Sequence, residues 1–326
     1  MLKIAVFGAG GVGGIFGAFL ARGGHNVHFI ARGEHFRTLR SRGLEVRTPS
    51  GHFHLRRDKN DLGRNEAQIE VSETTTDAQS RGQAFDLVLV CVKAWQLAEA
   101  CTQLAPLVGK KTLILPLLNG VEAAAILRRS FPDTADHSPV LNGFCAVISY
   151  IQSPGTIEQV GLPPYLCLGE VDAPHVSERI LELKRELSVT GIRVEAPENF
   201  LAQLWQKFIF ISSLAAVTSA ARLPAGPLRE WAETRNLIAE AMGEVVALAR
   251  ARGVSILENS VQKAMQRLDE MPAQGTTSMQ RDFQGGRPTE LETFSGYITR
   301  EAQKLGLVTP VHRVCYALLS NKRATS

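Results

Sequence analysis

The sequence predicts a chain of two classes in series, an α/β domain over residues 1–196 and then an all-helical domain over residues 197–326. Three observations carry this. The first forty residues run strand, glycine-rich turn, helix, strand; short aliphatic runs recur between helical segments as far as Ala196; and from Pro197 the apolar spacing takes the helical period without strand signals. At roughly 150 residues per domain, a length of 326 agrees with two domains and ample cores.

The first seven residues, MLKIAVF, have the aliphatic, β-branched character of a buried strand. The stretch from Met1 to Leu20 is apolar enough to resemble a signal peptide or a membrane span. Glycines at 8, 10, 11, 13, 14 and 17 interrupt it, so no membrane segment is expected. AGGVGG then forms the turn, IFGAFLARGG the helix and NVHFIAR the second strand. Inside this βαβ unit stands Gly8-x-Gly10-x-x-Gly13. The first glycine permits the tight turn, the second lets a pyrophosphate approach the backbone, and the third lets helix and strand pack closely. With Gly11 and Val12 of the same turn, these residues are the candidate phosphate cradle of a Rossmann-type dinucleotide-binding domain, where free N–H groups at the helix start hold the phosphates.

Where NAD enzymes present an acid to the ribose, about 20 residues past the glycines, this chain has Ala31 and Arg32. A guanidinium pairs with a 2′-phosphate that a carboxylate would repel, which favours NADP(H). The alternative is that Arg32 is solvated and Glu34 takes the acidic role.

The polar stretch from Arg56 to Gln83 holds one short strand candidate, IEVS, and AFDLVLVCVK after it reads as a buried parallel strand. Strands are expected at KTLILPLLNG, GFCAVISYIQ, GTIEQV, YLCLGE and GIRVEAP, with a helix at SERILELKRELSVT. The helical domain begins at Pro197-Glu198-Asn199 and continues through residues 200–220, 229–253, 259–271 and 290–306.

Ordinary composition, 44% hydrophobic and 21% charged, excludes a disordered chain. A net charge of +4 without a run of basic residues gives no support to nucleic-acid binding. The five cysteines are scattered, without a C-x-x-C pair or His-rich neighbourhood, which fits reduced thiols in a cytoplasmic protein and no metal site.

Lys93 and Asn119 leave strand candidates at their carboxyl ends, where open α/β sheets hold ligands; the same place is also where a strand first meets solvent. Lys207 lies among Trp205, Phe208, Ile209, Phe210, Ile211 and Leu214 in a helix that is apolar on nearly every side. Burial there would lower its pKa and suit a general acid, unless the stem snorkels its charge to water. Glu290 precedes an amphipathic helix, and Ser278 stands in a polar loop, TTSMQRDFQGG; alone, each fits dipole complementation or capping.

Together, GAGGVGG, Arg32, VKAWQL with Lys93, LLNGVE with Asn119, SPGTIE, LWQKF with Lys207, TELETFSGYI and GLVTPVH make the chain resemble the ketopantoate reductase (2-dehydropantoate 2-reductase) family over nearly its whole length. The resemblance implies an NADPH-dependent oxidoreductase that converts 2-dehydropantoate to (R)-pantoate on the route to pantothenate and coenzyme A. It implies Lys207 as the proton donor, Glu290 as the acid that binds the substrate hydroxyl and positions the lysine, and Ser278 as a carboxylate partner. Lys93 and Asn119 are implied to contact cofactor and substrate, and Arg32 the 2′-phosphate. Monomers and homodimers both fit it.

One departure stands out. Family members with pantoate chemistry usually carry asparagines one and two turns after the lysine, where this chain has Ile211 and Ala215. That leaves open a reductase of another 2-oxo acid or ketone, with Ser212 and Ser213 as substitutes facing other directions. A non-catalytic NADP(H) sensor would need the glycines and Arg32 but not the other candidates.

Overall fold

The computed structural model describes residues 1–56, 67–79, 84–133, 138–170 and 175–321. The chain forms two compact units, one of Met1–Leu118 with Glu122–Phe200 and one of Asn119–Val121 with Leu201–Ser326. The division falls after Phe200 instead of before Pro197, and it assigns the short Asn119–Val121 segment to the helical unit.

The first unit is built on strands β1 (Lys3–Phe7), β2 (Asn26–Ile30), β3 (Leu44–Thr48), β4 (Gly51–Arg56), β5 (Ala67–Ser72), β6 (Leu87–Val90), β7 (Leu113–Pro116), β8 (Leu141–Ser153), β9 (Thr156–Glu170) and β10 (Arg193–Glu195). Their order in the sheet is β10-β9-β3-β4-β5-β2-β1-β6-β7, with β8 paired to β9. β5, β2, β1, β6 and β7 run parallel to their neighbours. β8 and β9 form an antiparallel hairpin.

Alternation along β1 explains its unbroken apolar run. Ile4 and Val6 pack into one hydrophobic layer with helices α1 (Gly11–Arg22), α2 (Gly33–Arg42) and α6 (Glu178–Ser188). Ala5 and Phe7 pack into another with α4 (Leu97–Leu104) and α5 (Ala123–Ser130). A strand covered on both faces has no polar side to show. The short α3 (Thr75–Gln79) lies between β5 and β6.

Several boundaries differ from the sequence reading. α1 starts at Gly11, not Ile15, so Gly13 belongs to its first turn. IEVS lies within β5, whereas residues 57–66 and 80–83 of the polar stretch lie outside the described residues. GTIEQV and YLCLGE are one continuous strand, β9. α2 and the β3–β4 hairpin carry no strong apolar period and are not anticipated.

The second unit contains α7 (Phe200–Ala221), α8 (Ala225–Glu230), α9 (Ala232–Ala251), α10 (Ser260–Asp269), α11 (Ser278–Gln284), a π-helical turn over Glu292–Gly296, α12 (Tyr297–Lys304) and α13 (Pro310–Asn321). α7 is long and apolar enough to cross a membrane by length and composition. Its side chains are instead packed: Phe208, Ile209, Leu214 and Val217 share a core with Ile238, Met242 and Val245 of α9 and with Phe294, Tyr297 and Ile298. Phe208 sets its ring edge-on to Tyr297 at 5.9 Å and tilted to Phe294 at 6.1 Å. A helix surrounded in this way has little need of an amphipathic stripe.

Candidate active site

In the first unit, β1 passes into α1 through Gly8, whose φ of +98° suits glycine. A Cβ at Gly13 would stand 2.0 Å from the Gly8 carbonyl oxygen, so the loop closes only with glycine there. Gly10 caps α1 in an extended conformation without a side-chain cap, and the Gly14 N–H donates to the Gly10 carbonyl at 2.6 Å. The N–H groups of Gly11, Val12 and Gly13 precede that first internal bond and have no partner within the helix. A Cβ at Gly10 would meet nothing within 4 Å, so the chain is open on that side at the positive end of the helix dipole, whereas one at Gly11 would stand 2.4 Å from the Ser149 carbonyl oxygen. A pyrophosphate fits this cradle.

Arg32 follows β2 and caps α2 with its backbone extended. Its guanidinium donates to the Gln103 side-chain oxygen on α4, and the Gln103 amide donates to Glu99 at 2.8 Å. The cation is therefore held on an exposed edge at the carboxyl end of the strand. Glu34 sits in the exposed first turn of α2. Lys93 is partly buried after β6. Its backbone N–H donates to Gln96 at 3.1 Å and its ammonium lies 5.5 Å from the centre of the Trp95 ring.

The second unit brings three of the candidate residues together. Lys207 on α7 donates to Asn119 Oδ1 at 3.1 Å, and Asn119 Nδ2 donates to Glu290 Oε2 at 3.0 Å. Glu290 is buried, while Lys207 and Asn119 are partly so. An ammonium only donates and a carboxylate only accepts, so one orientation of the amide satisfies both neighbours and the network assigns it. Gly120, at φ +97°, brings the asparagine loop so close to the π-turn that a Cβ would stand 2.6 Å from Thr293. An anion and a cation thus flank one oriented amide, an arrangement able to deliver a proton and to bind a hydroxyl.

Ser278 is not in a loop: it is the first residue of α11, behind the Thr277 cap, whose hydroxyl accepts from the Gln280 N–H. α11 is tied to α7 through Thr277 and Thr218 at 3.3 Å. Ile211 is partly buried and Ala215 fully so. Ser212 donates to the Phe208 carbonyl at 2.6 Å and Ser213 pairs with His312 at 3.5 Å, so both hydroxyls already serve the unit's own interior.

His312 is not among the residues singled out from the sequence. Its ring is fully buried, with Nδ1 3.1 Å from Ser295 Oγ and Nε2 3.5 Å from Ser213 Oγ. Burial pushes its pKa down to about 4, against a backbone hydrogen bond with Ala241, so the ring is neutral near pH 7. Glu244 of α9 accepts from the Val311 and His312 N–H groups at 2.6 and 3.0 Å, covering the start of α13; burial raises its pKa. GLVTPVH contained the only sequence signal for this histidine.

Residues 4–173 match the family described as Ketopantoate reductase PanE/ApbA, and residues 199–323 match its C-terminal domain. The chain belongs to the ketopantoate reductase family and is an oxidoreductase. It is 27% identical to the oxidoreductase YkpB of Bacillus subtilis over 98% of both chains. It is also 27% identical to a 2-dehydropantoate 2-reductase of Halobacterium salinarum over 96% of both. A crystal structure of a PanE/ApbA family ketopantoate reductase from Ralstonia eutropha superposes with a TM-score of 0.85 at 28% identity, covering 99% of each chain.

Proposed function

We infer that this protein is an NADPH-dependent reductase of 2-oxo acids, and that its substrate is 2-dehydropantoate, reduced to (R)-pantoate for pantothenate and coenzyme A synthesis in the cytoplasm. The observation that carries this reading is the Lys207–Asn119–Glu290 chain of hydrogen bonds. Family membership and the open cradle at the start of α1 support it.

The cradle of Gly8, Gly10, Gly11, Val12 and Gly13 binds the pyrophosphate, and Arg32 binds the 2′-phosphate. When bound, the nicotinamide supplies a hydride to C2 of the oxo acid. Charge then builds on the keto oxygen, where the Lys207 ammonium stabilises it and donates the proton. Asn119 holds that ammonium in place through its oxygen and holds Glu290 through its nitrogen. Glu290 accepts from the substrate hydroxyl, and Ser278 donates to its carboxylate. Lys93 adds positive charge for cofactor and substrate. Holding Lys207, Asn119 and Glu290 in one hydrogen-bonded chain supplies orientation that free reactants lack.

A second reading, the reduction of a related oxo acid without the hydroxyl, rests on Ile211 and Ala215, since apolar side chains there offer a substrate hydroxyl no partner. NADPH oxidation by the purified protein, followed by absorbance with 2-dehydropantoate, 2-oxoisovalerate and other 2-oxo acids, tests both. Highest kcat/KM on 2-dehydropantoate supports the first reading. A preference for another acid overturns the substrate, and NADPH binding without turnover of any of them overturns the reductase in favour of a sensor.

A further inference from the structure

We propose that His312 is a positioning residue that sets Lys207 and Glu290 in register for catalysis; the proposal rests on the reading of that cluster given above. His312 lies in GLVTPVH, a motif that the proposed reaction does not otherwise use.

The ring joins the elements that carry the two charged residues. Ser213, on its Nε2 side, belongs to α7, the helix of Lys207. Ser295, on its Nδ1 side, belongs to the π-turn that follows Glu290, and the Phe294 N–H in the same turn donates to the Glu290 carbonyl at 3.0 Å. The backbone of His312 is anchored in turn by Glu244 from α9. One buried residue thus connects α7, α9, α13 and the turn behind Glu290.

Packing alone gives no reason for a histidine. A leucine of similar size would fill the same interior without the cost of burying two ring nitrogens. What the imidazole adds is two directional bonds at separate ring positions. A neutral ring has one donor and one acceptor nitrogen; the Ala241 carbonyl of α9 can take only the N–H, so the nitrogen left as acceptor takes the hydroxyl proton of its serine. Helical turns of the π class are frequent at functional sites, and this one begins two residues after Glu290. The contact to Ser295 at 3.1 Å is the stronger bond, and that to Ser213 at 3.5 Å is at the limit.

The test uses Ser295→Ala and Ser213→Ala, each of which severs one side of the bridge with little change in volume. Expected are losses in kcat with 2-dehydropantoate on the order of tenfold or more for Ser295→Ala and smaller for Ser213→Ala. The dissociation constant for NADPH should stay within about twofold and the melting temperature within a few degrees. The double variant should be little slower than Ser295→Ala alone, because either substitution breaks the same bridge. His312→Asn, which keeps an amide near the Nδ1 position, should retain more kcat than His312→Leu even where the leucine variant is the more stable. Turnover within about twofold of the parent in both serine variants, with Lys207→Ala inactive, would overturn the proposal. Full turnover in Lys207→Ala would instead remove the reading of the cluster on which it rests.

Discussion

Lys207 and Asn119, 88 residues apart in sequence, meet at 3.1 Å within one compact unit. The contact places a cation against an amide whose other end is committed to Glu290, so the asparagine fixes both charged groups at once. If it holds them for proton transfer, Asn119→Asp should be worse than a loss of one bond. The substitution sets a second carboxylate about 3 Å from Glu290, where like charges raise one pKa and draw a proton into the pair. The expected result is at least a tenfold fall in kcat/KM near pH 7, partly recovered at lower pH. Lys207→Ala should cost about a hundredfold or more in kcat at every pH. Steady-state pH profiles of the two variants check this.

The βαβ unit with its glycine spacing was legible in the sequence because every residue that makes it lies within one local stretch. The two-layer burial of β1 follows from its unbroken apolar run in the same way. The trio at Lys207 was not legible from periodicity, since its members lie far apart in sequence and only the family resemblance grouped them. The helix that begins at Ser278 is not legible in the sequence because SMQRDFQ is polar and short and its start depends on the Thr277 cap. The role of His312 is not legible because its partners are serines on other elements, and a buried serine pair leaves no pattern. The same holds for Gln103, whose role comes from lying beside Arg32 in the fold.

Arg32 should decide between the two nicotinamide dinucleotides. Its guanidinium is already held by Gln103, so less ordering remains to be done when a phosphate arrives. Arg32→Ala is expected to weaken NADPH by about tenfold to a hundredfold while NADH changes little, in line with the loss of charge-assisted hydrogen bonds. Titration of the two dinucleotides by fluorescence reads the ratio. Equal weakening of both would show that the residue serves the fold of the β2–α2 junction instead.

Ile211 offers a direct handle on substrate choice. It is partly buried one turn after Lys207, and an asparagine there would supply the hydrogen-bonding group that an apolar side chain lacks. Ile211→Asn should raise kcat/KM for 2-dehydropantoate relative to 2-oxoisovalerate by about tenfold, the value of one added hydrogen bond to a substrate hydroxyl. An unchanged ratio would mean that this position does not face the substrate's hydroxyl.

The buried ring of His312 also makes stability depend on pH in a stated direction. Its folded-state pKa of about 4 lies below the ordinary 6.5, so between these values the unfolded chain binds a proton that the folded chain refuses. The contribution is complete above pH 6.5 and is lost as pH falls toward 4, on the order of 3 kcal/mol over that window. Glu244, which accepts from the His312 N–H, acts with the opposite sign: its raised pKa makes the folded state the better proton binder, and it offsets part of the loss. Melting temperatures at pH 7.5 and pH 5 for the parent and for His312→Asn separate the two. The parent should lose more stability on acidification than the variant, because an amide in place of the imidazole has no proton to take up, whereas Glu244 remains in both. Equal losses would mean that the ring is charged in the folded state and that its two serine contacts are made by an imidazolium.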